Sequence, residues 1–189
     1  MFCNAKAGTG KTLIATATAN LLYQYGRCNG IVYIASPTQE QKQGYLKGTI
    51  EEKSEPYFEP FYEALEKIGV NRNTAFYDGA VNEKYQTAYI QCATHTFLRG
   101  TNFENKVVII DEAQNLSPKQ MKTLITRAGP GTKIVCLGNI AQIDTPYLTE
   151  GSSGLTYVVE RFQGWPHAAT ITLTRGERSR LADFATEAL

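Results

Sequence analysis

Hydrophobic positions along the chain follow two alternating spacings. Short runs rich in β-branched residues predict strands, whereas apolar residues recurring every three or four positions predict helices. The predicted strands are Ile31 to Ala35, Thr87 to Ala93, Lys106 to Ile110, Lys133 to Leu137 and Ala169 to Leu173. The predicted helices are Lys11 to Tyr25, Glu59 to Ile68, Ser117 to Ala128, Gly154 to Phe162 and Ser179 to Leu189. This alternation predicts an α/β fold, with a mostly parallel sheet between two helical layers and ligands at the carboxyl ends of the strands.

Glycine and proline mark the expected ends of these elements. Gly26, Gly69 and Gly129 stand where helix terminators belong, and Pro60 and Pro118 stand in first turns. A length of 189 residues fits one domain, so we expect residues 1–189 to form a single unit. Residues 71–86 are polar and carry a turn signal, which predicts an irregular excursion, either a hairpin or a mobile loop.

Composition narrows the classes of protein. No stretch of about 18 apolar residues is present, so we expect no membrane partner, and the first residues do not resemble a signal peptide. The four cysteines lie far apart and only two histidines accompany them, which favours a reduced, cytoplasmic chain. His95 and His167 have no companions at ligand spacing, so we interpret both as structural. A net charge of +1 excludes a uniformly basic surface but leaves room for a local basic groove.

A phosphate-binding loop is indicated near the start of the chain. The segment from Ala5 to Thr12 follows the pattern Gly-x-x-x-x-Gly-Lys-Thr, except that Ala5 replaces the first glycine. Ala5 is tolerable there if it keeps a negative φ. Backbone N–H groups of such a loop and the positive end of the following helix bind phosphate, a lysine reaches the β/γ-phosphates, and a threonine hydroxyl binds Mg²⁺. The candidate nucleotide-binding residues are Ala7, Gly8, Thr9, Gly10, Lys11 and Thr12.

Two adjacent carboxylates, Asp111 and Glu112, end the apolar strand that begins at Lys106. Beside a phosphate loop, Asp111 is a candidate ligand of Mg²⁺ and Glu112 a candidate for activating the attacking water. Solvated surface charge is the alternative. A carboxylate in the position of Glu112 favours hydrolysis over transfer to an acceptor, and the Asn-Lys-x-Asp motif typical of GTPases is missing, so the sequence favours ATP hydrolysis.

Two later segments carry further candidates. Gly138 to Asp144 resembles the Gly-Asp-x-x-Gln motif of superfamily one helicases, with Asn139 in place of the aspartate and Gln142 retained as a γ-phosphate sensor. Leu173 to Ser179 resembles the arginine motif of the same helicases, whose arginine neutralises charge in the transition state. We choose Arg178 for that role, with Arg175 and Arg127 as competitors.

Taken together, these segments resemble the PhoH-like, phosphate-starvation-inducible P-loop ATPases. The resemblance is carried by "AGTGKT", "GYLKGTIEEKSEPYFEPFYEAL", "FLRGTNFENKVVIIDEAQNLSPKQMKTLITRAGPGTK", "GNIAQID" and "ERSRLADFATEAL". It implies a RecA-like P-loop NTPase core related to superfamily one helicases, ATP and Mg²⁺ as ligands, a link to single-stranded RNA, and assembly into a ring. In a ring, Arg178 would act on the nucleotide of a neighbouring subunit.

The chain departs from that pattern at its start. A phosphate loop normally follows a strand of about five or six residues, whereas only Met1 to Asn4 precede this one, which predicts a truncated first strand. The truncation keeps a second hypothesis open, a nucleotide-dependent interaction module with negligible turnover. A phosphotransferase is the third.

Aromatic residues offer a candidate surface for nucleic acid. Tyr57, Phe58, Phe61 and Tyr62, together with Lys42, Lys47 and Lys53, could stack bases beside a cationic track. Aromatic residues at helical spacing more often pack into a core. Tyr45 and Tyr57 are the preferred candidates, and Arg99 is a further candidate for contact with RNA or a neighbouring subunit.

Overall fold

The computed structural model of the chain describes residues 1–36, 54–77, 88–95 and 102–176, together with Leu181 and Phe184. Within these residues the chain forms one six-stranded, parallel sheet in the order β3-β2-β4-β5-β1-β6. The strands are β1 (Phe2–Ala5), β2 (Ile31–Ala35), β3 (Ile90–Thr94), β4 (Val107–Ile110), β5 (Lys133–Gly138) and β6 (Thr170–Leu173). Because every strand runs the same way, their carboxyl ends lie at one edge of the sheet.

Five α-helices are described beside the sheet. They are α1 (Lys11–Gln24), α2 (Glu59–Lys67), α3 (Arg72–Ala75), α4 (Pro118–Ile125) and α5 (Gly154–Arg161). Short 3₁₀ turns at Glu55–Phe58 and Ala113–Asn115 precede α2 and α4. Gly26 and Gly69 have φ of +64° and +74° just past the ends of α1 and α2, as the sequence predicted for terminators.

Helices cover both faces of the sheet. Alternate residues of β2 point to opposite sides, so Ile31 and Tyr33 pack with α1 and α2, whereas Val32 and Ile34 pack with α4 and α5. All five residues of β2 are buried, as expected for a strand in a sheet covered on both faces. The α/β fold class predicted from the sequence, with a parallel sheet in the middle layer, is confirmed. Strand β1 has four residues, of which Phe2 to Asn4 pair with β5 and all four pair with β6.

Two boundaries differ from the prediction by more than one residue. Helix α4 ends at Ile125 instead of Ala128, and Gly129 does not terminate it. The backbone after α4 instead pairs with Phe103, whose oxygen accepts from the Gly129 N–H at 2.7 Å, and a Cβ on Gly129 would lie only 2.8 Å from the same oxygen. Strand β3 begins at Ile90, because the Tyr89 N–H bonds to Ala75 at the end of α3.

Several predicted features lie outside the described residues. These are most of the excursion at 71–86, where residues 71–77 contain α3, and the C-terminal helix from Ser179 to Leu189 apart from Leu181 and Phe184. Arg178, Arg99, Tyr45, Lys42, Lys47 and Lys53 lie outside them too.

Gly154, the first residue of α5, lies close to the backbone that precedes α4. Its N–H donates to the Leu116 oxygen at 2.7 Å, and a Cβ would lie 2.6 Å from that oxygen and 2.9 Å from the Ser117 oxygen. Both obstacles are backbone atoms, so a side chain forces the start of α5 away from the segment that precedes α4. We expect Gly154→Ala to lower the free energy of unfolding by about 2 kcal/mol and Tm by roughly 4–8 °C.

Thermal denaturation followed by circular dichroism checks this expectation. Gly151→Ala is the matched control, because a Cβ on Gly151 meets no atom within 4 Å. An equal Tm for the two variants would show that α5 adjusts without cost.

Candidate functional site

The loop between β1 and α1 has the geometry of a phosphate cradle. Gly8 and Gly10 both have φ of +76°, a conformation that glycine adopts without steric cost, whereas Ala5 is buried in β1 and has no positive φ. Gly10 precedes α1 and no side chain caps the N-terminus of this 14-residue helix. The first N–H groups of α1 therefore remain available to an anion, and the helix dipole favours negative charge there.

Asp111 lies at the end of β4, directly across from the start of α1. It is 3% exposed, and its Oδ2 accepts hydrogen bonds from Thr12 Oγ1 at 2.7 Å and from the Tyr33 hydroxyl at 2.9 Å. Its Oδ1 accepts from the backbone N–H of Glu112 at 2.9 Å. The structure therefore brings together the two residues that the sequence suggested as ligands of Mg²⁺.

Glu112 pairs with the lysine of the phosphate loop. Its Oε1 lies 3.0 Å from Lys11 Nζ, and the Lys11 side chain is 15% exposed against 47% for Glu112. Glu112 also has φ of +51° and ψ of +39°, a left-handed conformation that costs a non-glycine residue about 1–2 kcal/mol. This turn directs the glutamate toward Lys11 instead of continuing β4.

Burial controls the protonation of the groups around Asp111. Loss of solvent contact raises the pKa of Asp111, and the charge of Glu112 raises it further, while Lys11 and the two hydroxyl donors oppose the shift. Burial and the nearby Asp111 also raise the pKa of the Tyr33 phenol. Tyr33 therefore stays protonated and keeps donating its hydrogen bond to Asp111.

Gln142 lies in the loop after β5, where the sequence placed it. Its Oε1 accepts from Asn139 Nδ2 at 3.0 Å, and Asn139 Oδ1 accepts from the Ala141 N–H at 3.2 Å. Asn139, which stands where the helicase motif has aspartate, thus braces this loop from inside. Its N–H also donates to Gln114 Oε1 at 3.1 Å.

The arginines have different positions in the fold. Arg175 follows β6, the neighbour of β1, at the carboxyl edge of the sheet. The Arg127 backbone lies at the opposite edge, where its oxygen accepts from the Phe103 N–H ahead of β4. Arg127 is therefore the weaker of these two competitors on position.

A cavity of about 330 Å³ contains the side chains of Lys11, Thr12, Asp111 and Glu112 and has aromatic residues on its wall. Among the described residues, its lining includes Lys11, Thr12, Tyr33, Ala35, Ser36, Pro56, Tyr57, Pro60, Asp111 and Glu112. Tyr57 is 41% exposed, whereas Phe58, Phe61 and Tyr62 are buried in the core. The four aromatic residues considered for base stacking are thus not one platform, and Tyr57 is the member whose ring is available.

The sequence analysis missed three residues of this network. Tyr33 lies inside an apolar strand, and it reaches Asp111 only because β2 is the neighbour of β4. Gln114 follows the two carboxylates and is fully buried. Asn4 in β1 accepts from the Ile140 N–H at 3.2 Å. A polar residue at a strand's carboxyl end is the signal that could have indicated Asn4.

The donor atoms around Asp111 fit a hard divalent cation. Thr12 and Asp111 offer hydroxyl and carboxylate oxygen, which Mg²⁺ prefers. Within the described residues, no cluster of three or more His, Cys, Asp or Glu is arranged to hold a metal. The site therefore fits Mg²⁺ brought with nucleotide phosphates better than a closed protein cage.

Comparison with known proteins decides the family. The sequence profile of the family described as PhoH-like protein matches residues 1–187. The chain belongs to the PhoH-like protein family. It is 40% identical to protein PhoH2 of Bacillus subtilis over 186 residues, which are 97% of this chain and 41% of that protein. It is 34% identical to protein PhoH of Escherichia coli K12 over 165 residues, 86% of this chain and 44% of that protein.

The PhoH-like chain thus spans less than half the length of these two relatives. Among solved structures, Pif1 helicase from Candida albicans is 17% identical, with a TM-score of 0.43 over 99% of this chain and 40% of that one. Family membership and the phosphate loop indicate a nucleotide-binding, ATPase-like protein. No helix in the described part of the chain is long and apolar enough to cross a membrane.

Proposed function

We propose that this PhoH-like chain binds ATP with Mg²⁺, hydrolyses it, and couples hydrolysis to work on single-stranded RNA. The observation that carries the proposal is the convergence of Lys11, Thr12, Asp111 and Glu112 on one cavity. A lysine, an oxygen pair suited to a cation and a second carboxylate are the three groups that phosphoanhydride hydrolysis requires.

Each group then has one task. The loop residues Ala7 to Gly10 and the N-terminus of α1 hold the phosphate chain, and Lys11 binds the terminal phosphates. Thr12 and Asp111 hold Mg²⁺, which, when bound, neutralises charge on the phosphate oxygens. Glu112 is exposed enough to meet a water molecule and accepts its proton.

Gln142 and Arg178 complete the proposed site. Gln142 senses the γ-phosphate from the loop after β5, and its main chain is tied to Glu112 through Gln114. Arg178 supplies the positive charge that stabilises the transition state, either within the chain or to a neighbouring subunit of a ring. Family resemblance and chain order support this role.

RNA coupling is supported by one contact surface. Tyr57 presents a partly exposed ring on the wall of the cavity that contains the phosphate-binding lysine. A movement of Lys11 or Glu112 would alter the contacts of a base stacked on that ring, because Tyr57, Lys11 and Glu112 line the same cavity. We propose that this takes place in the cytoplasm, in a single domain covering residues 1–189.

Free-phosphate release tests the proposal. Purified protein with ATP and Mg²⁺ is assayed with and without single-stranded RNA, beside Lys11→Ala. We expect Lys11→Ala to remove release above background, and RNA to increase release by the unchanged protein. The matched control is Lys67→Ala, which loses the same charge from an exposed position on α2 and is expected to behave like the parent.

Each result has a separate meaning. Phosphate release that depends on Lys11 but does not change with RNA would confirm the hydrolase and reject the RNA coupling. Folded protein that binds ATP but releases no phosphate would reject the hydrolase and favour a nucleotide-dependent interaction module. Phosphate that appears on an added acceptor instead of in solution would indicate a phosphotransferase.

A further inference from the structure

Gln114 is a fully buried amide that contacts two parts of the candidate site at once. Its Nε2 donates to Glu112 Oε2 at 2.7 Å and to the main-chain oxygen of Gln142 at 2.9 Å. Its Oε1 accepts from the Asn139 N–H at 3.1 Å. Both bonds that its amide nitrogen donates and the bond that its oxygen accepts are thus directed at Glu112 and at the loop after β5.

The surrounding backbone is shaped to admit this amide. A Cβ on Gly138 would lie 2.6 Å from Gln114 Oε1, so the end of β5 has room for the amide only because residue 138 is glycine. The main-chain oxygen of Gln114 accepts from Ser153 Oγ, which also caps α5. Gln114 is therefore held from both sides, and its side chain has little freedom to turn away.

The two oxygens of Glu112 have different partners. Oε1 pairs with Lys11 and Oε2 with Gln114. A phosphate bound in the loop competes with Glu112 for Lys11, since the same ammonium group must contact the phosphate oxygens. Once Lys11 turns to the phosphate, Glu112 loses the contact to Lys11 and keeps the hydrogen bond from Gln114. That bond then orients the carboxylate.

We propose that Gln114 is a positioning residue that holds Glu112 in place after Lys11 has released it and ties its position to the loop carrying Gln142. The inference deepens the proposed hydrolase and rests on it. Gln114 does not contact the reacting atoms in this scheme. It acts through Glu112 on one side and through the loop from Gly138 to Gln142 on the other.

The loop from Gly138 to Gln142 is linked by hydrogen bonds to both sides of the candidate phosphate site. Within this loop, the Asn139 N–H donates to Gln114 and the Gln142 main-chain oxygen accepts from Gln114. The Ile140 N–H donates to Asn4 of β1. Asn4 directly precedes the phosphate loop. The loop is thus tied to the strand before Lys11 and to the carboxylate that pairs with Lys11, the two places that phosphate binding alters.

The test compares two buried amides. Gln114→Met keeps the volume and removes all three side-chain bonds. Asn115→Leu is the matched control, because the Asn115 side chain accepts from the Asp144 and Thr145 N–H groups, which follow Gln142 in the chain. The contact of Asn115 with Glu112 is a backbone hydrogen bond that the substitution leaves in place. We expect Gln114→Met to lower kcat for phosphate release by about 10- to 100-fold with the Kd for ATP changed less than about twofold.

Asn115→Leu is expected to lower Tm but to keep kcat within about threefold of the parent. Equal losses of kcat in the two variants would overturn the inference, since both would then report general damage to the fold. If Gln114→Met does not fold, Gln114→Glu replaces it. That variant keeps an oxygen for the Asn139 N–H but removes the donor to Glu112, and full kcat in it would also overturn the inference.

A second measurement does not depend on turnover. In ¹⁵N-labelled protein without nucleotide, Glu112→Gln is expected to shift the backbone amide resonances of Asn139 and Gln142, and this shift should vanish in the Gln114→Met background. No shift would overturn the coupling even in an active enzyme. A shift in a protein that releases no phosphate would reject the proposed hydrolase while retaining the link between Glu112 and the loop.

Discussion

Glu112→Gln is expected to reduce phosphate release at saturating ATP by about 10²- to 10⁴-fold, because the amide cannot accept a proton from water. The substitution keeps the shape of the side chain and an oxygen for Gln114 Nε2, so the site should remain assembled. Loss of turnover would then report the chemistry of the carboxylate instead of a collapsed pocket.

Nucleotide binding should be kept or strengthened in the same variant. Without nucleotide, Glu112 forms an ion pair with Lys11 at 3.0 Å, and a bound phosphate must displace the glutamate from the lysine. The Glu112 side chain is 47% exposed, so the pair is screened by solvent and its removal frees Lys11 at a gain of about two- to fivefold in affinity.

Fluorescence titration with a labelled ATP analogue and a phosphate-release assay measure the two effects separately. Glu66→Gln, an exposed position on α2, is the control for loss of one negative charge. Weaker ATP binding by Glu112→Gln would contradict the competition for Lys11. Unchanged turnover would remove Glu112 from the mechanism.

Sequence patterns predicted the parts of the candidate site whose residues are neighbours along the chain. Lys11 and Thr12 belong to one continuous motif, and Asp111 and Glu112 end one apolar run. A short run rich in β-branched residues is typical of a strand that is buried on both faces. Since parallel strands share a carboxyl edge, strand ends distant in sequence could be expected to meet there.

The contacts that orient these groups could not be predicted in the same way. Tyr33 reaches Asp111 across 78 positions of the chain, and an isolated tyrosine in a strand gives no indication of that bond. The end of α4 was misplaced for a similar reason. Pairing with Phe103 takes up the backbone before Gly129, and helix propensity contains no information about that distant partner.

Asp111, a proposed ligand of Mg²⁺, carries a cost in stability. Its raised pKa means that the folded protein retains a proton at pH values where the unfolded chain has lost it. The free energy of unfolding therefore falls as pH rises from the unfolded pKa through the folded one. Above that window, in the absence of a cation, the folded protein bears the full cost of a buried carboxylate.

Asp111→Asn should therefore stabilise the protein while abolishing its activity. The amide fits the same space, and the Thr12 and Tyr33 hydroxyls can turn to accept its N–H groups. Without nucleotide or divalent cation at neutral pH, we expect a gain of about 1–2 kcal/mol and a Tm higher by roughly 2–8 °C. With Mg²⁺ and ATP, phosphate release should fall by at least about 100-fold, because one of the two proposed oxygen ligands loses its charge.

Circular dichroism melts at neutral pH and phosphate-release assays test the two expectations. Asp144→Asn is the matched control, because Asp144 is exposed and the same exchange there should leave Tm nearly unchanged. A lower Tm for Asp111→Asn would mean that the bonds from Thr12, Tyr33 and the Glu112 N–H outweigh the loss of hydration. In that case the carboxylate would stabilise the protein without its cation, and the site would be preorganised by hydrogen bonds instead of by the cation's charge.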